Sequence, residues 1–246
     1  WYRRGFFADG TPLGSSTSDE CQIDSIAQSW SVLSRSNTFA ADSKRPRQAM
    51  TSVQDRLIDR EDKLALLFTP PFDKTTRDPG YIKGYPPGIR ENGGQYTHAA
   101  AWSIIALADL GDGDGAGEIL SLINPVNLSA THAGSRRYRL EPYVAAADVY
   151  SVGQNRGRGG WSWYTGAAGW IYRAALEHVL GVRKEGDALI ISPSIPTHWP
   201  GFEVTYTHDN TAYHVVVKNP SGISRGLIAA TLTGVPLHIR DDASVT

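Results

Sequence analysis

The 246 residues contain one cysteine, Cys21, and one methionine, Met50. A lone cysteine excludes an internal disulfide framework and points to a reducing compartment. In that setting the sequon Asn127-Leu128-Ser129 reads as chance, not as a glycosylation signal. No uninterrupted apolar run reaches the roughly 18 residues that a membrane span requires. Trp1-Tyr2-Arg3-Arg4 leads straight into Gly5, without the apolar core of a signal peptide. An excess of one charge is missing too, since 24 Lys+Arg against 25 Asp+Glu leaves a formal net charge of -1. That balance carries no electrostatic footprint for nucleic acid, and no basic stretch suits a membrane surface. The seven His are scattered, with no pair at ligand spacing, so no metal site is expected. A chain that opens on Trp and holds a single internal Met is expected to be a piece of a longer one.

Aromatic residues are plentiful by contrast, with seven Trp and eleven Tyr. Many sit beside Gly, Pro and polar residues. Such rings can cover the flat C–H faces of sugars, or serve as ordinary core and interface residues. Apolar spacing predicts helices over residues 24–33, 45–59 and 97–110, the last apolar almost all round and therefore buried. Asp112-Gly-Asp-Gly lacks the further oxygen ligands of a calcium loop and is expected to cap a short helix through 122. Pro142 suits the first turn of a helix over 141–149, and a further helix over 167–180 should end at Gly181. Residues 68–94 have no helical period and are rich in Pro and Gly. A loop of that length in a compact domain is usually functional or disordered, and its Phe72, Tyr81, Ile82, Tyr85 and Ile89 favour order. Past 181 the period changes to β-rich runs, at 188–192, 202–207, 212–218 and 227–232. The expected organisation is a helical part, 1–181, and a β part, 182–246, forming a small antiparallel sheet or part of a β-sandwich. About six helices joined by long aromatic loops fit half of a twelve-helix barrel with its site in the loops.

Three segments hold candidate chemistry. In Gly84-Tyr-Pro-Pro-Gly-Ile-Arg-Glu-Asn-Gly-Gly-Gln-Tyr-Thr-His98, glycines flank Arg90, Glu91 and Asn92 and permit close approach of a ligand. His98 lies at the start of a buried helix, where free N–H groups attract anions. A structural Arg90–Glu91 pair and a hydrogen-bonded core His are the alternatives. In Gly157-Arg-Gly-Gly-Trp-Ser-Trp-Tyr-Thr165-Gly166, a Gly-rich backbone precedes Thr-Gly at a helix start, a way of cradling phosphate. Here the alternative is that Thr165 caps the helix. The acidic run Asp19, Glu20 and Asp24 fits helix capping better than acid–base work.

Together these segments resemble glycoside hydrolase family 94, the inverting phosphorylases, and within it the C-terminal region of cyclic β-1,2-glucan synthases. The stretches that carry the resemblance include Asp19-Glu-Cys-Gln-Ile-Asp-Ser-Ile-Ala-Gln-Ser-Trp30, 79–98, Arg139-Leu-Glu-Pro-Tyr-Val144 and 157–170. The resemblance implies the C-terminal half of an (α/α)6 barrel followed by a β domain. It also implies phosphorolysis of a β-glucan to glucose 1-phosphate, with inorganic phosphate as co-substrate and no cofactor. By similarity Tyr85, Arg90 and Glu91 line the acceptor-sugar subsite, and His98, Thr165 and Gly166 hold phosphate. Near Ala147 cellobiose phosphorylases carry a Gln that helps with phosphate, a contact Ala cannot make. The family's general acid, an Asp in Asp-Trp-Asn-Asp-Gly, is absent from these 246 residues and is expected upstream of Trp1, so this chain alone should not turn over. An inverting hydrolase on the same barrel, with Glu91 or Glu141 as base, and a non-catalytic carbohydrate-binding piece are the competing functions. A half barrel would expose apolar helix faces and self-associate. Both a free cytoplasmic location and a cytoplasmic domain of a membrane-embedded parent fit these features.

Overall fold

The computed structural model describes residues 1–34 and 44–246. Helix α1 (Ser25–Leu33) and helix α2 (Lys44–Arg56) lead to the central helix α3 (Thr97–Asp109). It is followed by α4 (Gly113–Ile123), α5 (Pro125–Leu128), α6 (His132–Tyr138) and α7 (Thr165–Arg173). A π-helical stretch, Ala174–Val179, extends α7 to Gly181, whose φ of 69° supplies the left-handed stop. No described helix is long and apolar enough to cross a membrane.

Helix α3 is the hub because it is apolar on nearly every side. Ala100, Ile104, Ile105 and Leu107 meet Met50 and Val53 of α2, Ala116 and Ile119 of α4, and Ala174 and Val179 of the π-helical stretch. Ser29 of α1 and Ser103 of α3 join hydroxyls at 3.0 Å, a polar contact inside this core. Ile195, from beyond the helices, inserts into the same core. It can do so because α4 presents small residues: a Cβ on Gly113 would lie 2.3 Å from the Ile195 carbonyl oxygen, and one on Gly117 2.4 Å from Pro196.

The segment expected to be helical over 141–149 is instead a turn, closed by Val144 N–H on the Glu141 carbonyl, that runs into a short strand at Asp148–Val149. Thr97 donates its N–H to the Ala147 carbonyl at 3.0 Å, and Gln95–Tyr96 pairs with Asp148–Val149. Backbone pairing across the fold outweighs the helix propensity of the three alanines. Conversely α5 and α6 arise in a stretch with a weak apolar period, because Asn124 and Thr131 cap them by accepting from Val126 N–H and Gly134 N–H. The β part holds three separate two-stranded antiparallel hairpins among the described residues, not a sandwich. Val182–Glu185 pairs with Ala188–Ile191, Gly201–His208 with Thr211–Lys218, and Thr231–Leu232 with Val235–Pro236. Each two-residue turn returns the chain onto its neighbour, as Asp209 does at φ 49°.

Candidate active site

Short pairings gather three helix starts at one end of the molecule. Ile23–Asp24 pairs with Phe68–Thr69 just before α1, and Gln95–Tyr96 pairs with Asp148–Val149 just before α3. Leu67 N–H bonds the Gly94 carbonyl at 2.9 Å and links the two pairs. The strand leading to α7 joins the row through Val149 and Gly159 and through Ala147 N–H on the Trp161 carbonyl at 2.7 Å.

The α1 start is closed by its own carboxylate. Asp24 is fully buried, accepts from Ile26 N–H at 2.8 Å and pairs with Arg4. Burial pushes its carboxyl up, against the opposing pull of Arg4. Glu20 is likewise structural, accepting the N–H groups of Asp73, Lys74 and Thr75 at 3.0, 2.7 and 3.1 Å. Burial pushes the Glu20 carboxyl up, but those donors outweigh it and hold it below the usual range. With Asn92, whose side chain spans Phe72 N–H, Phe72 carbonyl and Tyr85 carbonyl, Glu20 orders the long loop after residue 69.

The starts of α3 and α7 carry no such carboxylate, although α3 gives its first N–H to the Ala147 carbonyl. Their N-caps are Tyr96 and Tyr164, and neither makes a side-chain capping bond. Thr165 stands exposed in the first turn of α7. His98 meets the same place: a Cβ on Gly166 would lie 3.8 Å from its Nδ1. Its ring sits among Tyr96, Trp102 and Trp170, with centroids 6.5, 4.6 and 5.5 Å away. The buried Nε2 has no hydrogen-bond partner, and burial holds the imidazole below its usual pKa.

Tyr85, Arg90 and Glu91 occupy the loop beside these helix starts. The Arg90 guanidinium lies 3.8 Å from the centre of the Trp161 ring and 5.7 Å from that of Tyr85, so it stacks on rings and does not pair with Glu91. Glu91 Oε2 is buried without a partner. Burial pushes the Tyr96 phenol up to about 12, and the Glu91 carboxylate and the Tyr164 hydroxyl add to the shift. Tyr96 thus stacks on the His98 ring and feels the charge of Glu91.

Asp148 escaped the sequence reading. It is 1% exposed, and its two oxygens accept the N–H groups of Arg90 at 3.2 Å and Trp161 at 3.3 Å. It holds Arg90 in a left-handed conformation, φ 49°, over the Trp161 ring. Gly160 permits this, since a Cβ there would lie 2.2 Å from Asp148 Oδ1. Burial raises the Asp148 carboxyl pKa, while the Trp161 and Arg90 N–H groups oppose the shift. The one signal in the sequence is an acid inside the apolar run Val144-Ala-Ala-Ala-Asp-Val149.

The chain is 49% identical over 221 residues to cyclic beta-(1,2)-glucan synthase NdvB of Rhizobium meliloti (strain 1021), covering 90% of this chain and 8% of that protein. It is 32% identical over 241 residues to N,N'-diacetylchitobiose phosphorylase of Vibrio proteolyticus, covering 98% of this chain and 29% of the relative. A 1,2-beta-oligoglucan phosphorylase of Listeria innocua serovar 6a is 32% identical over 135 residues, 49% of this chain and 12% of its own length. The chain therefore spans less than a third of each of these relatives. The family model described as glycosyl hydrolase 94 superfamily, catalytic domain, matches residues 1–181. With these helix starts and loop residues inside that match, the chain belongs to the glycosyl hydrolase 94 superfamily.

Proposed function

We propose that these residues supply the sugar- and phosphate-binding face of an inverting glycoside phosphorylase that acts on a β-glucan. In this reading they are one half of an (α/α)6 barrel, with a β domain from residue 182. The observation that carries it is the pair of buried polar atoms without partners, Glu91 Oε2 and His98 Nε2, on the loop and first turn around a helix start that lacks a side-chain cap. Such atoms are costly to bury unless a ligand completes them. Tyr85 would cover a sugar face, and Arg90 and Glu91 would take its hydroxyls. His98, the Thr165 hydroxyl and the Gly166 N–H would take phosphate oxygens, where two helix starts already favour an anion.

The chemistry needs little else from these residues. A phosphate oxygen attacks the anomeric carbon from the face opposite the leaving sugar. The carbon–oxygen bond to that sugar breaks with its electron pair on oxygen, and a general acid protonates the oxygen. The products are glucose 1-phosphate of inverted configuration and a glucan one unit shorter. The acid is proposed to be the family's Asp, supplied from outside these 246 residues, so the chain alone is expected to bind without turnover. The glucan-acting relatives favour β-1,2-linked glucose as substrate. The reading calls for no cofactor and fits a cytoplasmic enzyme or enzyme domain.

The test is release of glucose 1-phosphate from β-1,2-glucan by the full-length polypeptide, with and without phosphate. No sugar release is expected when phosphate is omitted. Undiminished release would instead assign Glu91 the activation of water and overturn the phosphorylase reading.

A further inference from the structure

An exposed aromatic pair adjoins this site along the chain, two residues past Trp161. Trp163 and Tyr143 are 66% and 68% exposed, and their ring centroids are 6.1 Å apart at 73°. The Trp163 Nε1–H donates to Glu141 Oε1 at 3.1 Å. That bond fixes the indole and leaves Glu141 Oε2 to accept from something else. The Trp163 backbone is left-handed, φ 57°, which a bulky side chain rarely adopts. Strain of this kind is normally held by packing or kept for function. Packing does not explain it here, because two-thirds of the Trp163 side chain faces solvent.

The pair is joined to the site through the segment Trp161–Thr165. Trp161, two residues earlier, carries Arg90 on its ring, and its ring centroid lies 6.4 Å from that of Tyr164. Tyr85 meets the other side of Arg90. A corner of two rings with a carboxylate at its edge suits a pyranose, which offers a C–H face to one ring and a hydroxyl to Glu141. An apolar protein segment would leave that carboxylate without a hydrogen-bond donor.

We propose that Trp163, Tyr143 and Glu141 form a further subsite that takes a glucose unit of the glucan beyond the one held by Tyr85, Arg90 and Glu91. The inference rests on the sugar-binding reading above and deepens it. The substrate is then an oligosaccharide chain, and affinity grows with chain length past the disaccharide.

The test compares a β-1,2-linked disaccharide and pentasaccharide in the full-length polypeptide, by calorimetry and by the KM of sugar release. Trp163→Ala and Tyr143→Ala should each weaken the pentasaccharide about tenfold, the scale of a lost ring contact, and leave the disaccharide unchanged. Trp163→Phe, which keeps a ring, should retain most of the length preference, and melting curves matching the parent show that each variant is folded. Equal weakening of both sugars would overturn the proposal, because the rings would then only position α7. No change with either sugar would also overturn it, by showing the rings covered by another segment of the polypeptide. Phosphate omission is a separate arm. If sugar release proves phosphate-independent, the phosphorylase reading falls while the loss of length preference remains measurable.

Discussion

At the scale of single residues, burial disfavours the charged form of both His98 and Asp148, lowering the pKa of one and raising that of the other. Burial holds the His98 pKa below its ordinary 6.5, so the folded protein favours the neutral ring. A depressed folded pKa contributes stability that is present above 6.5 and lost as pH falls through the lowered value. An anion beside the ring reverses that preference and favours the imidazolium. Sulfate, which does not titrate near neutrality, should therefore bind more tightly as pH falls from about 8 to about 6, with proton uptake. Calorimetry in buffers of different ionisation heat measures that uptake, and His98→Gln should remove it. Uptake unaltered by His98→Gln would assign the proton to another group. Asp148→Ala leaves the Arg90 and Trp161 N–H groups without their acceptor and is expected to cost about 1–3 kcal/mol. It should also raise the KM for sugar, because Arg90 is no longer held over Trp161. A variant that melts like the parent with an unaltered KM would refute that positioning role.

At the scale of elements, α7 offers a sharp contrast between two glycines. A Cβ on Gly169 meets nothing within 4 Å, so Gly169→Ala should stabilise the helix by about 0.5–1 kcal/mol and leave anion binding alone. A Cβ on Gly166 makes only ordinary contacts, 3.4 Å to Tyr164 and 3.8 Å to His98 Nδ1. Gly166→Ala should therefore fold normally yet weaken sulfate or phosphate severalfold, because the methyl occupies the place between His98 and the open helix start. Retained affinity would move the anion elsewhere. The sequence made α1, α2 and α3 legible because their apolar residues repeat at helical spacing, and α4 because Asp112 marks its cap. It misled at 141–149, where three alanines and a proline read as helix although the end of the stretch is held extended by Thr97, Tyr96 and Trp161. Such pairing joins residues far apart in the chain, and local spacing carries no trace of it. Asp148 was missed for the same reason, as its partners lie 58 and 13 positions away. Tyr85, Arg90 and Glu91 were singled out because glycines and prolines mark their loop, and Thr165-Gly166 because a Gly-rich run meets a helix start.

At the scale of the whole molecule, family membership was readable from several motifs in order, whereas the β part was not readable in detail. Of its expected runs only 202–207 and 212–218 pair with each other, whereas 188–192 and the end of 227–232 close on the unforeseen strands Val182–Glu185 and Val235–Pro236, since pairing is set by turns. Among the contacts that join the β part to the helices is a close backbone approach on α4. Gly113→Ala would drive a methyl to within 2.3 Å of the Ile195 carbonyl and 2.4 Å of Ser224 Oγ. A backbone oxygen yields little, so a loss of about 1–3 kcal/mol is expected, with faster proteolysis in 182–246. Equal cleavage rates for variant and parent would show that this contact does not hold the β part in place.

Asp148 has a further consequence. Its backbone pairs with Tyr96, which leads into the helix bearing His98, while its carboxylate grips Arg90 and Trp161. One residue thus belongs to both halves of the proposed site. If sugar tightens that residue, phosphate must gain affinity by the same factor that phosphate lends to sugar, since coupling between two ligands is reciprocal. Each substrate would act as the other's latch: either alone escapes quickly, and both together stay long enough to react.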